Sequence, residues 1–302
     1  MSALSALHGV TTTVFSNLLV KLPIPHATPE LPRQTIIVTG SNTGLGLETS
    51  RHLLRLGLGK LIMAVRNVDK GQQAKQELLA STGRDEASVE VWLLDMDSHD
   101  SVKKFASRAS QLPRLDGVLA NAGIMTKQFS SSEGHEKTLN VNVISTFLLC
   151  LLLIPKMRES EKQTSWPCRF VIPNSALHYL APMGELDIES DPDLDIIARL
   201  DDPAKADMAG RYPLSKLLVL YAVRELADRC KASEKGLFIV NTPNPSYCVS
   251  NLARESEGVR GVKTAEKLLA RTTEEGSRTL YHGLFAGQES NGQYLTNCHV
   301  QT

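Results

Sequence analysis

The sequence lacks a surplus of either charge: its 33 lysines and arginines balance 33 aspartates and glutamates. No continuous basic face could neutralise a phosphate backbone, so nucleic acid is excluded as a partner. Cysteine is scarce. Cys150, Cys168, Cys230, Cys248 and Cys298 are odd in number and far apart, with no Cys-x-x-Cys and no Cys/His cluster, which excludes a disulfide framework and a zinc site and predicts reduced thiols. Long apolar runs are missing as well: the longest, Phe147 to Ile154, falls well short of the roughly 18 residues that span a bilayer and abuts Pro155, so no transmembrane segment is expected. The first arginine is Arg33 and no basic region precedes an apolar one, so no secretory signal or Arg-rich transit peptide is read and the cytosol is the default. Internal repeats and low-complexity tracts are absent.

What is present is an ordinary globular composition, 302 residues with 42% hydrophobic and 22% charged, enough to bury a core without staples. From Thr35 onward short apolar runs alternate with longer amphipathic ones, the pattern of βαβ units. Strands are predicted at Thr35 to Thr39, Lys60 to Val65, Val89 to Leu94, Gly117 to Asn121, Arg169 to Ile172, Leu237 to Asn241 and Gln293 to Leu295, with helices near 47–56, 69–80, 99–111, 136–159, 212–231 and 263–285. The expected fold is therefore α/β: a single doubly wound, Rossmann-like parallel sheet of about seven strands, covered by helices on both faces.

Two segments stand outside this rhythm. In residues 1–34, Leu7, Val10, Val14, Leu18 and Leu22 recur at helical spacing before a connector containing Pro23, Pro25, Pro29 and Pro32. The stripe could meet a membrane surface or a partner copy, or dock on its own domain. With only Lys21 in it, it lacks the basic face of a membrane-surface helix, and docking on the 35–302 domain is the preferred reading. Between Ser175 and Tyr212 lie nine acidic residues against three basic ones, a local charge of −6 within an insertion spanning 176–211. Such a stretch is either a solvated loop or a wall of a substrate pocket, and its sign disfavours anionic substrates.

The chemistry begins at Thr39-Gly40-Ser41-Asn42-Thr43-Gly44-Leu45-Gly46, which follows the first strand and opens a helix. Glycines at 40, 44 and 46 permit a tight turn and a close backbone approach, so the helix N-terminus can offer N–H groups and its positive dipole end to a pyrophosphate. Ser41 and Asn42 add side-chain donors, and Leu45 lies within the same loop. About twenty residues past the last glycine, where an acid would read NAD and an arginine the 2′-phosphate of NADP, stands Arg66; NADP(H) is favoured, with Asp69 on the ribose as the alternative. Asp95 and Asn121-Ala122-Gly123 close the third and fourth strands, at the carboxyl edge where such sheets bind ligands.

Tyr212 and Lys216 lie four apart, on one face of a helix whose first turn contains Pro213. A phenol must be brought from about 10 toward neutrality to exchange a proton with an alcohol or carbonyl, and a neighbouring ammonium does this. None of the other five tyrosines has a lysine at that offset. Ser175, at the end of the fifth strand, could bond the reacting oxygen, and Asn142, on the helix before it, could hold a water leading to Lys216. His178 and Tyr179 read as ordinary packed residues; His135 and His282 find no partner by spacing.

In this order and context, Thr39 to Gly46, Asn121-Ala122-Gly123, Asn142, Ser175 and Tyr212-x-x-x-Lys216 resemble the short-chain dehydrogenase/reductase family over roughly Gln34 to the C-terminus. Val-Arg-Asn after the second strand, the long gap before Tyr212 and the Asn-Gly-Gln-Tyr-Leu ending resemble its retinol-dehydrogenase-like branch and the reductases of fungal biosynthetic clusters. The resemblance implies an NADP-dependent oxidoreductase interconverting a ketone or aldehyde and an alcohol. Tyr212 would be the proton donor or acceptor, Ser175 would polarise the substrate oxygen, Lys216 would hold the nicotinamide ribose and lower the tyrosine pKa, and Asn142 would anchor a proton relay. By the same resemblance Cys248 and Ser250 would touch the nicotinamide carboxamide, Ser246 to Gly261 would form a lid, and the last two helices would be the usual interface of a homodimer. Two departures stand out: the family's Pro-Gly is Pro245-Ser246, and its Ser-Ser is Asn174-Ser175. A non-catalytic dinucleotide-binding sensor or scaffold is the alternative of another class. A nucleotide-sugar epimerase or dehydratase is disfavoured by the glycine spacing and the lack of a separate C-terminal substrate domain.

Overall fold

The computed structural model describes residues 3–187, 195–233, 235–249 and 269–301, with side chains from Leu7. A single sheet of eight strands organises it: β1 (Thr35–Thr39), β2 (Lys60–Val65), β3 (Val89–Leu93), β4 (Gly117–Leu119), β7 (Cys168–Val171), β8 (Phe238–Asn244), β9 (Tyr294–Thr296) and β10 (His299–Val300). A separate two-residue hairpin forms β5 (Ser131–Ser132) and β6 (His135–Glu136). The order across the sheet is β10-β9-β8-β7-β4-β1-β2-β3. All pairings are parallel except β9 with β10, which turns back as an antiparallel edge and adds one strand to the seven read from the sequence.

Among the described residues seven longer helices accompany the sheet: α1 (Ala3–Leu19), α2 (Gly44–Arg55), α3 (Val68–Thr82), α4 (His99–Ala109), α6 (Ser145–Thr164), α8 (Arg211–Ala232) and α9 (Thr273–Phe285). Two short ones, α5 (Lys137–Leu139) and α7 (Ile196–Asp201), precede α6 and α8 respectively. The central strands are buried on both sides, so their side chains alternate between two cores. In β1, Ile37 joins Val102, Leu149 and Val219 of α4, α6 and α8, whereas Ile36 and Val38 join Leu53, Leu78 and Leu284 of α2, α3 and α9. A five-residue π-turn, Asn140–Ile144, links α5 to α6. By length and composition the continuous helix Lys137–Thr164 could cross a bilayer, but 61% of its apolar window is packed inside the molecule.

The strand order reverses direction between β1 and β4, and a ligand crevice forms outside the carboxyl ends of the strands at such a switch point. The Gly40–Gly46 loop follows β1 and Asn121 follows β4, which brings both to this crevice.

α1 docks on the remainder with the face opposite to the one its apolar stripe suggests. Gly9 and Ser16 are buried, whereas Leu7, Val10, Val14 and Leu18 are exposed; only Leu22, beyond the helix, is buried. The surface beneath is polar, because Arg271 Nη2 donates to Ser16 O at 2.7 Å and Asn297 Nδ2 donates to Ser16 Oγ at 2.9 Å.

Candidate active site

The phosphate loop is held from behind by Asn121. Its Nδ2 donates to Thr39 O at 3.0 Å, and Ala122 N donates to Thr39 Oγ1 at 2.8 Å, tying the ends of β1 and β4 together. The Asn121 amide therefore shapes the loop from behind. A Cβ on Gly46 would come 2.7 Å from Gly40 O, so the close approach requires glycine. Gly44 adopts φ +60° with nothing within 4 Å of where its Cβ would stand. This open cradle in front of the first turn of α2, whose leading N–H groups have no intrahelical acceptor, fits a pyrophosphate. Ser41 is wholly buried with its Oγ unpartnered, and Asn42 and Leu45 are half-buried beside it.

Arg66 stands exposed just past β2, close enough to Asp97 to help hold that carboxyl below its usual range, although burial opposes the shift and Lys137 contributes more. Asp69 lies exposed in the first turn of α3, which Asn67 caps through Lys70 N at 2.9 Å. Asp95 is half-buried after β3, and its Oδ1 accepts from Asp97 N at 3.1 Å.

Ser175 and Tyr212 meet. Ser175 caps the short helix that follows it, accepting from Leu177 N at 3.2 Å, and its side chain bonds Tyr212. Burial pushes the phenol well above its ordinary value, and the bond to Ser175 offsets part of that. Lys216 lies with Nζ 5.6 Å from the Tyr212 ring centre and donates to Pro173 O at 2.8 Å. Burial lowers its ammonium to about 8. Lys216 is thus fastened to the backbone after β7.

Asn142 is buried behind the site. Its Oδ1 accepts from Ile124 N at 2.9 Å, while its Nδ2 donates to Ile124 O at 2.9 Å and to Ser215 Oγ at 3.1 Å. The side chain braces the loop after β4 against α8. The π-turn carries it; such bulges often accompany functional sites.

Two supports went unread in the sequence. Asn174 accepts from Ser175 N at 2.8 Å and donates to Thr242 Oγ1 at 3.1 Å and Lys216 O at 3.3 Å, joining β7, β8 and α8 beneath the site. Arg211, almost fully buried immediately before Tyr212, donates to Leu200 O at 3.0 Å and lies 3.3 Å from Glu185 and 3.6 Å from Glu136. Part of the acidic insertion thus turns inward to anchor the start of α8.

Cys248 directs its Sγ to Pro245 O at 3.1 Å, and burial raises the thiol to about 12; its side chain faces Gly276 of α9, leaving its backbone as the part that could meet a ligand. Ser246 occupies the left-handed region at φ 66°, with its N–H held by Asn244 Oδ1 at 2.9 Å. Ser250 and most of the expected lid, Gly258 and Gly261 included, lie outside the described residues. His178 packs between Tyr179 and Tyr294 with Nδ1 2.7 Å from Ser175 O, and burial lowers its pKa. His135 does have a partner: its Nδ1 lies 2.8 Å from Asp201 of the insertion.

This geometry can be set beside known proteins. The sequence profile of the short chain dehydrogenases matches residues 34–164. The short chain dehydrogenase/reductase dmxR8 of Cryptosporiopsis sp. (strain 8999) is 41% identical over 96% of this chain and 88% of its own. The chain belongs to the short-chain dehydrogenase/reductase family. Short chain dehydrogenase atnD of Emericella nidulans is 42% identical over 93% of this chain and 88% of its own. Among solved structures, a short chain dehydrogenase from Escherichia coli CFT073 complexed with NADPH superposes with a TM-score of 0.63 at 21% identity, covering 87% of this chain and 96% of that one. The chain is thus an oxidoreductase of the Rossmann-fold type.

Proposed function

We propose that this short-chain dehydrogenase/reductase reduces a ketone or aldehyde to an alcohol with NADPH, in a biosynthetic pathway. The observation that carries the reading is the buried Tyr212, bonded to Ser175 with Lys216 one turn on. The Gly40–Gly46 loop would hold the pyrophosphate, with Ser41, Asn42 and Leu45 around it, and Arg66 would pair with the 2′-phosphate. Asp95 would lie along the adenine side, and the backbone at Cys248 and the hydroxyl of Ser250 toward the carboxamide. When bound, NADPH supplies the hydride.

The chain's own residues then govern a proton. A phenol kept protonated by burial is suited to give its proton to the carbonyl oxygen as charge develops there. Ser175 Oγ, already bonded to Tyr212, orients that oxygen. Lys216, released from Pro173 O toward the nicotinamide ribose, brings its positive charge to the phenolate that remains. Asn142 and Asn174 keep these groups in register without touching the reacting atoms.

Titration of the protein with NADPH and NADH, followed by nicotinamide fluorescence, tests the cofactor. NADPH should bind at least tenfold more tightly, and Arg66→Ala should remove that preference. Tyr212→Phe should lose turnover with ketone substrates yet keep NADPH affinity within about twofold, because it deletes a proton and not a cofactor contact. Binding of neither nucleotide would favour a scaffold over an enzyme.

A further inference from the structure

We infer that Lys137 is a positioning residue for the choice of cofactor: it cancels the charge of Asp97 and so leaves the Arg66 guanidinium open to the 2′-phosphate of NADPH. This rests on the reading above that NADPH is the cofactor. β2 and β3 run in register, Val65 against Leu93, and Leu94 N donates to Val65 O at 2.9 Å, so the residues that follow the two strands emerge side by side. Arg66 leaves β2 there, exposed, and Asp97 sits in the turn after β3, near enough for the two charges to act on each other. Lys137, the first residue of α5, places its Nζ 2.6 Å from Asp97 Oδ2. Ser132 of the β5–β6 hairpin bonds the same carboxylate, and Asp97 and Lys137 are both half-buried.

The charges decide what the pair is for. A carboxylate alone beside Arg66 would already serve as the anion of that guanidinium, and it would repel a second anion brought to the same place. Lys137 removes both effects: two cations and one anion leave one positive charge over, and it stands on the exposed member, Arg66. That excess matters only to a nucleotide with a phosphate on its 2′-oxygen, since the 2′-hydroxyl of NADH brings no charge to this edge. A mere structural tie explains the pair less well, because the hairpin that precedes Lys137 is fastened without it. Glu133 accepts from His99 N at 3.0 Å, Asn140 donates from Nδ2 to Ser132 Oγ at 2.9 Å, and Asp201 accepts from Glu136 N at 2.7 Å. A direct grip of Lys137 on the phosphate explains it less well too, since its Nζ is already engaged by Asp97.

A double-mutant cycle on the full chain tests this, with NADPH and NADH affinities read by nicotinamide fluorescence. Lys137→Met should weaken NADPH roughly fivefold, the upper end for partly exposed charges, and leave NADH within about twofold. Asp97→Asn should bind NADPH at least as tightly as the wild type. Lys137→Met/Asp97→Asn should regain the wild-type ratio of the two affinities, and Lys137→Arg should keep it. A wild type without preference for NADPH overturns the cofactor reading, and this inference with it. Where that preference is present, a Lys137→Met chain that keeps the wild-type ratio overturns this inference alone, as does one that weakens both nucleotides equally, the mark of a structural tie. A double variant no tighter for NADPH than Lys137→Met would assign the phosphate contact to Lys137 itself and overturn it likewise.

Discussion

Lys216 carries the most consequential electrostatics of any single residue in the site. Its ammonium is buried with Pro173 O as its acceptor, and burial lowers its pKa to about 8, well below the 10.5 of an open lysine. Between those values the unfolded chain binds a proton that the folded one has released, so this residue makes stability rise with pH across the window from about 8 to 10.5. Lys216→Met should abolish that rise, read as the difference between wild-type and variant urea midpoints at pH 7 and pH 9.5; parallel pH profiles would remove Lys216 from the account. Tyr212 acts oppositely and at higher pH, since its raised pKa leaves the folded phenol protonated where the unfolded one has ionised. The pairing of the two was legible in the sequence because four-residue spacing on a helix suffices to put them on one face. The hold of Pro173 on Lys216 was not, because a backbone carbonyl leaves no mark in a residue pattern.

Among the elements, the strands were the most legible, since a parallel strand buried on both faces shows as an unbroken apolar run and β1 and β2 fall on the residues expected. The antiparallel β10 was missed: it is two residues long and owes its place to the turn before it, where Asn297 and Cys298 both take positive φ. The acidic insertion was read by composition as a solvated loop or a pocket wall, because the partners of Glu185 and Asp201 are distant in sequence or on another element. In the structure Glu185 approaches Arg211, and Asp201 Oδ1 accepts from Glu136 N at 2.7 Å. Glu136 in turn caps α5 by accepting from Thr138 N at 2.8 Å and Leu139 N at 3.0 Å. The start of α8, and with it Tyr212, is therefore fixed by a largely buried charge cluster. Arg211→Ala would leave two carboxylates without their cation, at a cost of about 3–5 kcal/mol, measured by urea unfolding at neutral pH. A loss below about 1 kcal/mol would place the anchoring of α8 elsewhere.

For the whole molecule, the N-terminal stretch is laced to the C-terminal elements far more closely than an appended helix and connector would suggest. Ser16 and Asn17 bond Arg271, Asn297, Tyr247 and Leu269, Leu22 O accepts from Arg278 Nη1 at 3.1 Å, and His26 O accepts from Tyr281 Oη at 2.7 Å. The periodicity of residues 7–22 gave the helix, and its moment gave an apolar face. It could not say which face docks, because that depends on the polar groups of a surface built some 250 residues later in the chain. Those groups need the helix in return: Arg271 is buried, and two of its acceptors are the carbonyls of Ser16 and Val20. Removing residues 1–22 should strand that guanidinium and expose the apolar surface under Leu22, losing about 2–3 kcal/mol and lowering the thermal midpoint by roughly 3–5 °C. An unchanged midpoint would mean that the C-terminal elements hold Arg271 without the helix.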